Sequence, residues 1–166
     1  MATRKRTKAR AKKTASAAKR ASSARKAPRA RTRPQGLTLG SVAPSLTVND
    51  LAKSLAFYRD VLGLVVKDRW EHAGALMGVE MQAGRVTFML GQDDWKKGRD
   101  RVKGEGFRLY CETAQDVDRL AAQIEARGGR LAQPPRDESW GARLFTVEDP
   151  DGFKVTIFRK LRRGRK

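Results

Sequence analysis

From residue 41 onward the apolar and polar positions fall into one series that is then written a second time. The stretch "SVAPSLTV" (41–48) sets Val42, Leu46 and Val48 on one side and Ala43, Ser45 and Thr47 on the other, the period of a half-buried strand. Pro44 lacks an N–H and suits an edge or a bulge rather than a sheet interior. In "NDLAKSLAFYRDVLG", Asn49 or Asp50 can cap a helix. Leu51, Leu55, Tyr58 and Leu62 recur at helical spacing, and Gly63 supplies the left-handed stop. Strand-like stretches follow at 64–70, about 74–81 and 85–90.

The second writing opens with a strand at 107–112 and a helix at 114–129, and closes with strands at 130–133, 142–148 and 154–159. The helices register at an offset of 66, which lays Asp50 on Asp116, Leu51 on Val117, Tyr58 on Ile124 and Gly63 on Gly129. By the last strands the offset is 69, and "RVTFM" (85–89) lies on "KVTIF" (154–158), with threonine in the middle both times. Helix, glycine stop and closing strand agree in the same order. That favours a duplicated βαβββ unit over a chance likeness of two amphipathic helices. The expected fold class is α+β, with tandem βαβββ modules at about 40–91 and 105–160 inside one domain at 37–160.

Charge changes the picture at the ends only. Residues 1–36 carry 14 Lys or Arg and no acid, and residues 159–166 carry six more; residues 37–158 therefore hold 17 bases against all 18 acids. The net charge of +19 describes the basic segment 1–36 and the short basic end 161–166 with its two flanking residues, not the domain. Residues 1–36 contain no Val, Ile, Leu, Phe, Tyr or Trp, so they have nothing to bury and are expected to be disordered in isolation. They lack the apolar stretch of a secretory signal, and the sequence has no run long enough to span a membrane. One cysteine, Cys111, forms no internal disulfide and fits a reducing compartment; a cytoplasmic protein is expected.

A βαβββ duplication opened by "VNDLAKSLAFYRDVLGL" and closed by "DPDGFKVTIF" resembles the vicinal oxygen chelate superfamily, which includes glyoxalase I, extradiol dioxygenases and bleomycin-resistance proteins. The resemblance covers about residues 40–160. The stretch "SWGARLFTVEDPDG" (139–152) is most similar to the bleomycin-resistance branch. It implies a cup-shaped mixed sheet built from paired modules, and a homodimer. In the family's metal enzymes four cup-facing residues hold one divalent ion. Carried over residue by residue, those positions fall on Ala43, Thr87, Arg108 (Leu109 if the loop is ungapped) and Thr156. A neutral hydroxyl is a poor ligand for such an ion and a guanidinium repels it, so neither metal nor cofactor is expected. His72, the single histidine, lies off all four positions and reads as a loop or surface residue, since one imidazole cannot build a site.

Strand parity then proposes a lining. If Leu46, Val48, Val86, Phe88, Leu109, Val155 and Ile157 pack under the helices, the concave side receives Ser45, Thr47, Thr87, Met89, Arg108, Tyr110, Thr156 and Phe158. Hydroxyls, aromatics and one guanidinium suit an organic ligand with a planar or anionic part. The candidate contacts are Thr47, Thr87, Arg108, Tyr110, Trp140, Thr156 and Phe158, with Trp140 drawn from the Trp-Gly setting of the drug-binding branch. Arg108 reads equally as a surface arginine paired with Glu112 or a loop acid. Trp95, in "GQDDWKKGRDR", belongs to a flap or to a plain connection. By parity Cys111 is a small core residue, and Asp149 and Asp151 are formers of the Pro-Asp-Gly turn.

Three functions stay open. The leading one is a small-organic-ligand binder of the glyoxalase and bleomycin-resistance kind without catalysis. The second is a metal-dependent lyase or dioxygenase of the same superfamily. The third is a nucleoid-associated protein whose domain joins two DNA-binding arms. Mobile cations such as Arg4, Lys5, Arg6, Lys12, Lys13, Lys19 and Arg20 attract phosphate without sequence preference, because the segment has no aromatic residue for base stacking.

Overall fold

A computed structural model describes residues 40–161; the basic segment 1–36 and residues 162–166 lie outside the described residues. The alternating stretch after Pro44 forms strand β1 (Ser45–Val48), with Leu46 and Val48 turned inward. The strand starts later than the alternation suggests. It lies at a sheet edge, directly after the proline, where a missing N–H breaks no ladder. Helix α1 (Leu51–Ala56) follows and widens into a π-helical turn over Phe57–Val61. Strands β2 (Val65–His72), β3 (Ala75–Ala83) and β4 (Val86–Gln92) complete a four-stranded sheet of order β1-β4-β3-β2.

The second series repeats this: β5 (Arg108–Glu112), α2 (Val117–Ala126), β6 (Leu131–Glu138), β7 (Ala142–Glu148) and β8 (Lys154–Lys160), in the order β5-β8-β7-β6. In each sheet the first strand runs parallel to the last and the other pairings are antiparallel. The duplication reaches the caps. Asp50 accepts a hydrogen bond from the Lys53 N–H, and Asp116, 66 residues on, accepts one from Arg119.

Three local details differ from the sequence reading. Strand β6 extends to Glu138 through Pro134 and Pro135, which an edge strand tolerates. The left-handed glycine after α2 is Gly128 (φ 86°), whereas Gly129 is a packing glycine: a Cβ there would overlap Ile124 and Val61. Val86, placed by parity under the helices, is 48% exposed because it opens β4 beyond the reach of the core.

One hydrophobic core serves both series. Leu46, Val48, Leu55, Tyr58, Met81 and Phe88 from the first half join Val117, Ile124, Phe145, Val147 and Val155 from the second, and Cys111 packs half-buried against them. The halves are also tied by polar contacts that the turn-forming role of Asp149 and Asp151 does not anticipate. Asp151 accepts from the Asn49 N–H and from the Ser54 hydroxyl, at 2.9 and 3.0 Å. The buried Tyr58 hydroxyl donates to Asp149 at 3.0 Å. Burial raises the Asp149 carboxyl above its ordinary range, against the pull of the Phe153 and Asp151 N–H groups and of Tyr58 itself. Burial first, and then Asp149, pushes the Tyr58 phenol far above its usual range, so it stays a donor. Among the described residues no helix is long and apolar enough to cross a membrane.

Candidate functional site

With both inner faces committed to one core, each sheet turns its other face outward, and the candidate ligand contacts stand there. On the second sheet, register places Tyr110 beside Thr156 and Thr156 beside Thr146; one step along, Phe158 lies between Glu112 and Leu144. Trp140, in the turn between β6 and β7, brings its ring to 5.5 Å from Phe158, and Tyr110 approaches from the other side at 6.4 Å. Both contacts are edge-on, the arrangement that aromatic quadrupoles favour. Trp140 and Tyr110 remain 54% and 57% exposed, so the cluster presents ring surface to solvent. Leu144 and Ala142 lie on this same face and are buried, yet they stand apart from the main core. The outward face therefore holds a small apolar centre of its own.

The structure brings Tyr110, Thr156, Phe158 and Trp140 together, with Arg108 one step further along β5 beside Lys154. Thr47 and Thr87 belong to the first sheet and do not join them. Thr156 is not an open lining residue: it is 1% exposed and its hydroxyl shares a 2.9 Å hydrogen bond with Thr146. Arg108 is exposed and makes no ion pair among the described residues, while Glu112, its expected partner, pairs with Lys160. Arg108 instead lines a polar cleft of about 740 Å³ with Arg101, Lys154, Glu148, Asp151 and the glycines 104, 106 and 152.

The linker over 93–107 is built around one carboxylate. Asp93 is buried and accepts from Lys103, from the Trp95 N–H and from Arg101, which holds its carboxyl far below the usual range. Trp95 adopts a left-handed backbone (φ 59°), and the Arg99 guanidinium lies 4.7 Å from its ring centroid. This loop is thus a pinned connection. The sequence showed its charges, but not that Asp93 gathers them.

The metal-ligand positions do not fit a divalent ion. The β5 residue alongside Thr156 is Tyr110 rather than Arg108, because Arg108 pairs with Lys154. Alanine, two threonines and a tyrosine offer no anionic oxygen or imidazole, and one of those threonines is committed to Thr146. Among the described residues no group of three or more His, Cys, Asp or Glu could hold a metal ion. His72 stands exposed at the end of β2.

On the first sheet the outward row reads Thr47, Gly91, Gly78, Trp70 across the four strands. Beside it lies a shallow, solvent-open hollow of about 270 Å³ lined by Ser45, Trp70, Met77, Gly78, Met89, Leu90 and Gly91. The sequence reading included Ser45 and Met89 by parity, but the paired glycines could be recognised only once the strand register was known.

Comparison with known proteins agrees with this architecture. The model of the Glyoxalase/Bleomycin resistance protein/Dioxygenase superfamily matches residues 38–157. A protein of Synechocystis sp. named "Probable lactoylglutathione lyase" is 28% identical over 119 residues, covering 68% of this chain and 88% of its own. Among solved structures, a superfamily member from Sphaerobacter thermophilus aligns with a TM-score of 0.62 and 24% identity, over 75% of this chain and all of its own. TnmS3, an antibiotic binding protein from Streptomyces sp., aligns with a TM-score of 0.60 and 22% identity, over 75% of this chain and 99% of its own.

Proposed function

The chain belongs to the glyoxalase/bleomycin resistance protein/dioxygenase superfamily, and from that premise we propose that it binds a small organic ligand without a metal. The observation that carries this reading is the exposed cluster of Tyr110, Phe158 and Trp140, which offers ring faces and edges to a planar group. Arg108, unpaired among the described residues, takes an anionic part of the same ligand, because a guanidinium fork matches a carboxylate or phosphate. Thr47 and Thr87, apart from that cluster, offer hydroxyls only to a part of the ligand that reaches the first sheet, and Thr156, buried and bonded to Thr146, does not touch the ligand.

An outward face that is half of a binding surface needs a second wall, and a second copy of the chain provides it. The proposed working form is a homodimer. The lyase name carried by the Synechocystis relative keeps catalysis as the competing reading, and the donor chemistry at the ligand positions weighs against it. Native mass spectrometry of the full chain purified from its host is expected to show a dimer that retains an organic ligand. A stoichiometric divalent metal would transfer the assignment to the enzymes. Trp140→Ala is expected to weaken ligand binding by about tenfold or more, as loss of an aromatic anchor does.

A second reading concerns residues 1–36 alone, whose 14 bases and no acids favour non-specific attraction to nucleic acid. A salt titration of DNA binding by the full chain and by a chain lacking those residues tests it. Equal binding by both would remove it.

A further inference from the structure

The outward face of the first sheet contains a glycine that nothing among the described residues requires. Gly78 and Gly91 stand opposite one another on β3 and β4, the two inner strands of the sheet. Glycine weakens a strand interior, since it packs nothing and loses more freedom on folding than other residues. At Gly78 the reason is plain. A Cβ there would come within 2.9 Å of both the Leu90 carbonyl oxygen and Cε3 of Trp70, so only glycine lets the indole lie down on the strand. Gly91 has no such reason. Its φ is compatible with any residue, and a Cβ would meet nothing within 4 Å.

Gly91 leaves bare sheet at the edge of the hollow of about 270 Å³, which is shallow and open to solvent. From this geometry we infer that the hollow is a slot for one flat, uncharged ring of the ligand, and that Gly91 is the residue that admits it. Trp70, 40% exposed, forms one wall, and Met77 and Met89 supply polarisable thioethers that adapt to a ring edge. Among the described residues no charged side chain lines the slot, so the part that enters is neutral; the Ser45 hydroxyl is placed to offer it a hydrogen bond. Whole small-molecule pockets start at roughly 300 Å³, so this volume suits one ring system and not an entire ligand. The inference rests on the small-molecule reading and adds a specificity residue to it.

The test uses full-length protein carrying 5-fluorotryptophan, with the three resonances assigned by single Trp→Phe variants. The probes are 8-anilinonaphthalene-1-sulfonate, which carries a flat bicyclic ring, and adamantane-1-carboxylate, which is apolar but not flat. The naphthalene probe is expected to shift the Trp70 resonance, and the adamantane probe to bind on the order of tenfold more weakly. Gly91→Val places its Cβ in open space and puts a β-branched residue in a strand, so it should keep or raise the melting temperature. It should also weaken the naphthalene probe on the order of tenfold and remove the Trp70 shift. If Gly91→Val binds the probe as the wild type does, or Trp140 alone responds, the slot is overturned while binding at the aromatic cluster stands. If no tryptophan responds to either probe, the binding reading itself is overturned. A change of sedimentation mass in Gly91→Val would assign the slot to a side chain of a second copy and overturn the inference.

Discussion

The two sheets are copies of one plan, and their twin threonines show how far they have parted. Thr87 and Thr156 occupy the same place in the closing strand of each series, facing away from the core. Thr87 lies half-exposed beside Gln82, and its hydroxyl has no hydrogen bond among the described residues. Thr156 is buried, bonded to Thr146 and flanked by Tyr110. The inner faces stayed alike because one shared core constrains both: Met81 stands opposite Phe88 as Phe145 stands opposite Ile157. The outer faces bear no such joint constraint. One became a glycine-floored slot beside Trp70, the other an aromatic cluster with a charged rim.

The shared core is the first thing to break. Phe145→Ala is expected to cost about 3–5 kcal/mol, because a buried aromatic leaves a cavity the core cannot fill. Calorimetry should show both halves melting in one transition; two separate transitions would mean that the sheets are independent after all. Next comes the tie between them. Tyr58→Phe leaves the buried Asp149 carboxylate short of a donor, for about 1–3 kcal/mol by urea unfolding.

The linker between the halves gives a test in pH. The Asp93 carboxyl is depressed in the folded state, so its stabilisation is present above the ordinary carboxylate value of about 3.9. It is lost as pH falls from there through the lower folded value. The wild type should therefore exceed Asp93→Asn in stability at neutral pH, and the gap should close on acidification. A gap that is constant with pH would show that the carboxylate charge is not what pins the loop. The finest contrast is between the threonines. Thr156→Val should cost roughly 1 kcal/mol through the unpaired Thr146 hydroxyl, and Thr87→Val should stay within about 0.5 kcal/mol. Equal costs would erase the asymmetry between the faces.

Much of the fold was written in local pattern. Alternation over 45–48, helical spacing from Leu51 to Leu62, and the recurrence of both with matching caps at Asp50 and Asp116 determine two βαβββ units, since periods of 2 and 3.6 depend only on neighbours along the chain. Those patterns also separate inner from outer side chains, as at Leu46 and Val48, and the residue types at the ligand positions follow from them. The tertiary structure decided what neighbours across strands do to each other. It seated Arg108 beside Lys154 and Tyr110 beside Thr156, sank Thr156 under its neighbours, and gathered Arg101 and Lys103 onto Asp93. It laid Gly78 against Gly91, 13 residues apart in the sequence and adjacent in the sheet. Register and burial are set by pairing between distant segments and by what covers them, and no reading of one strand at a time contains that information.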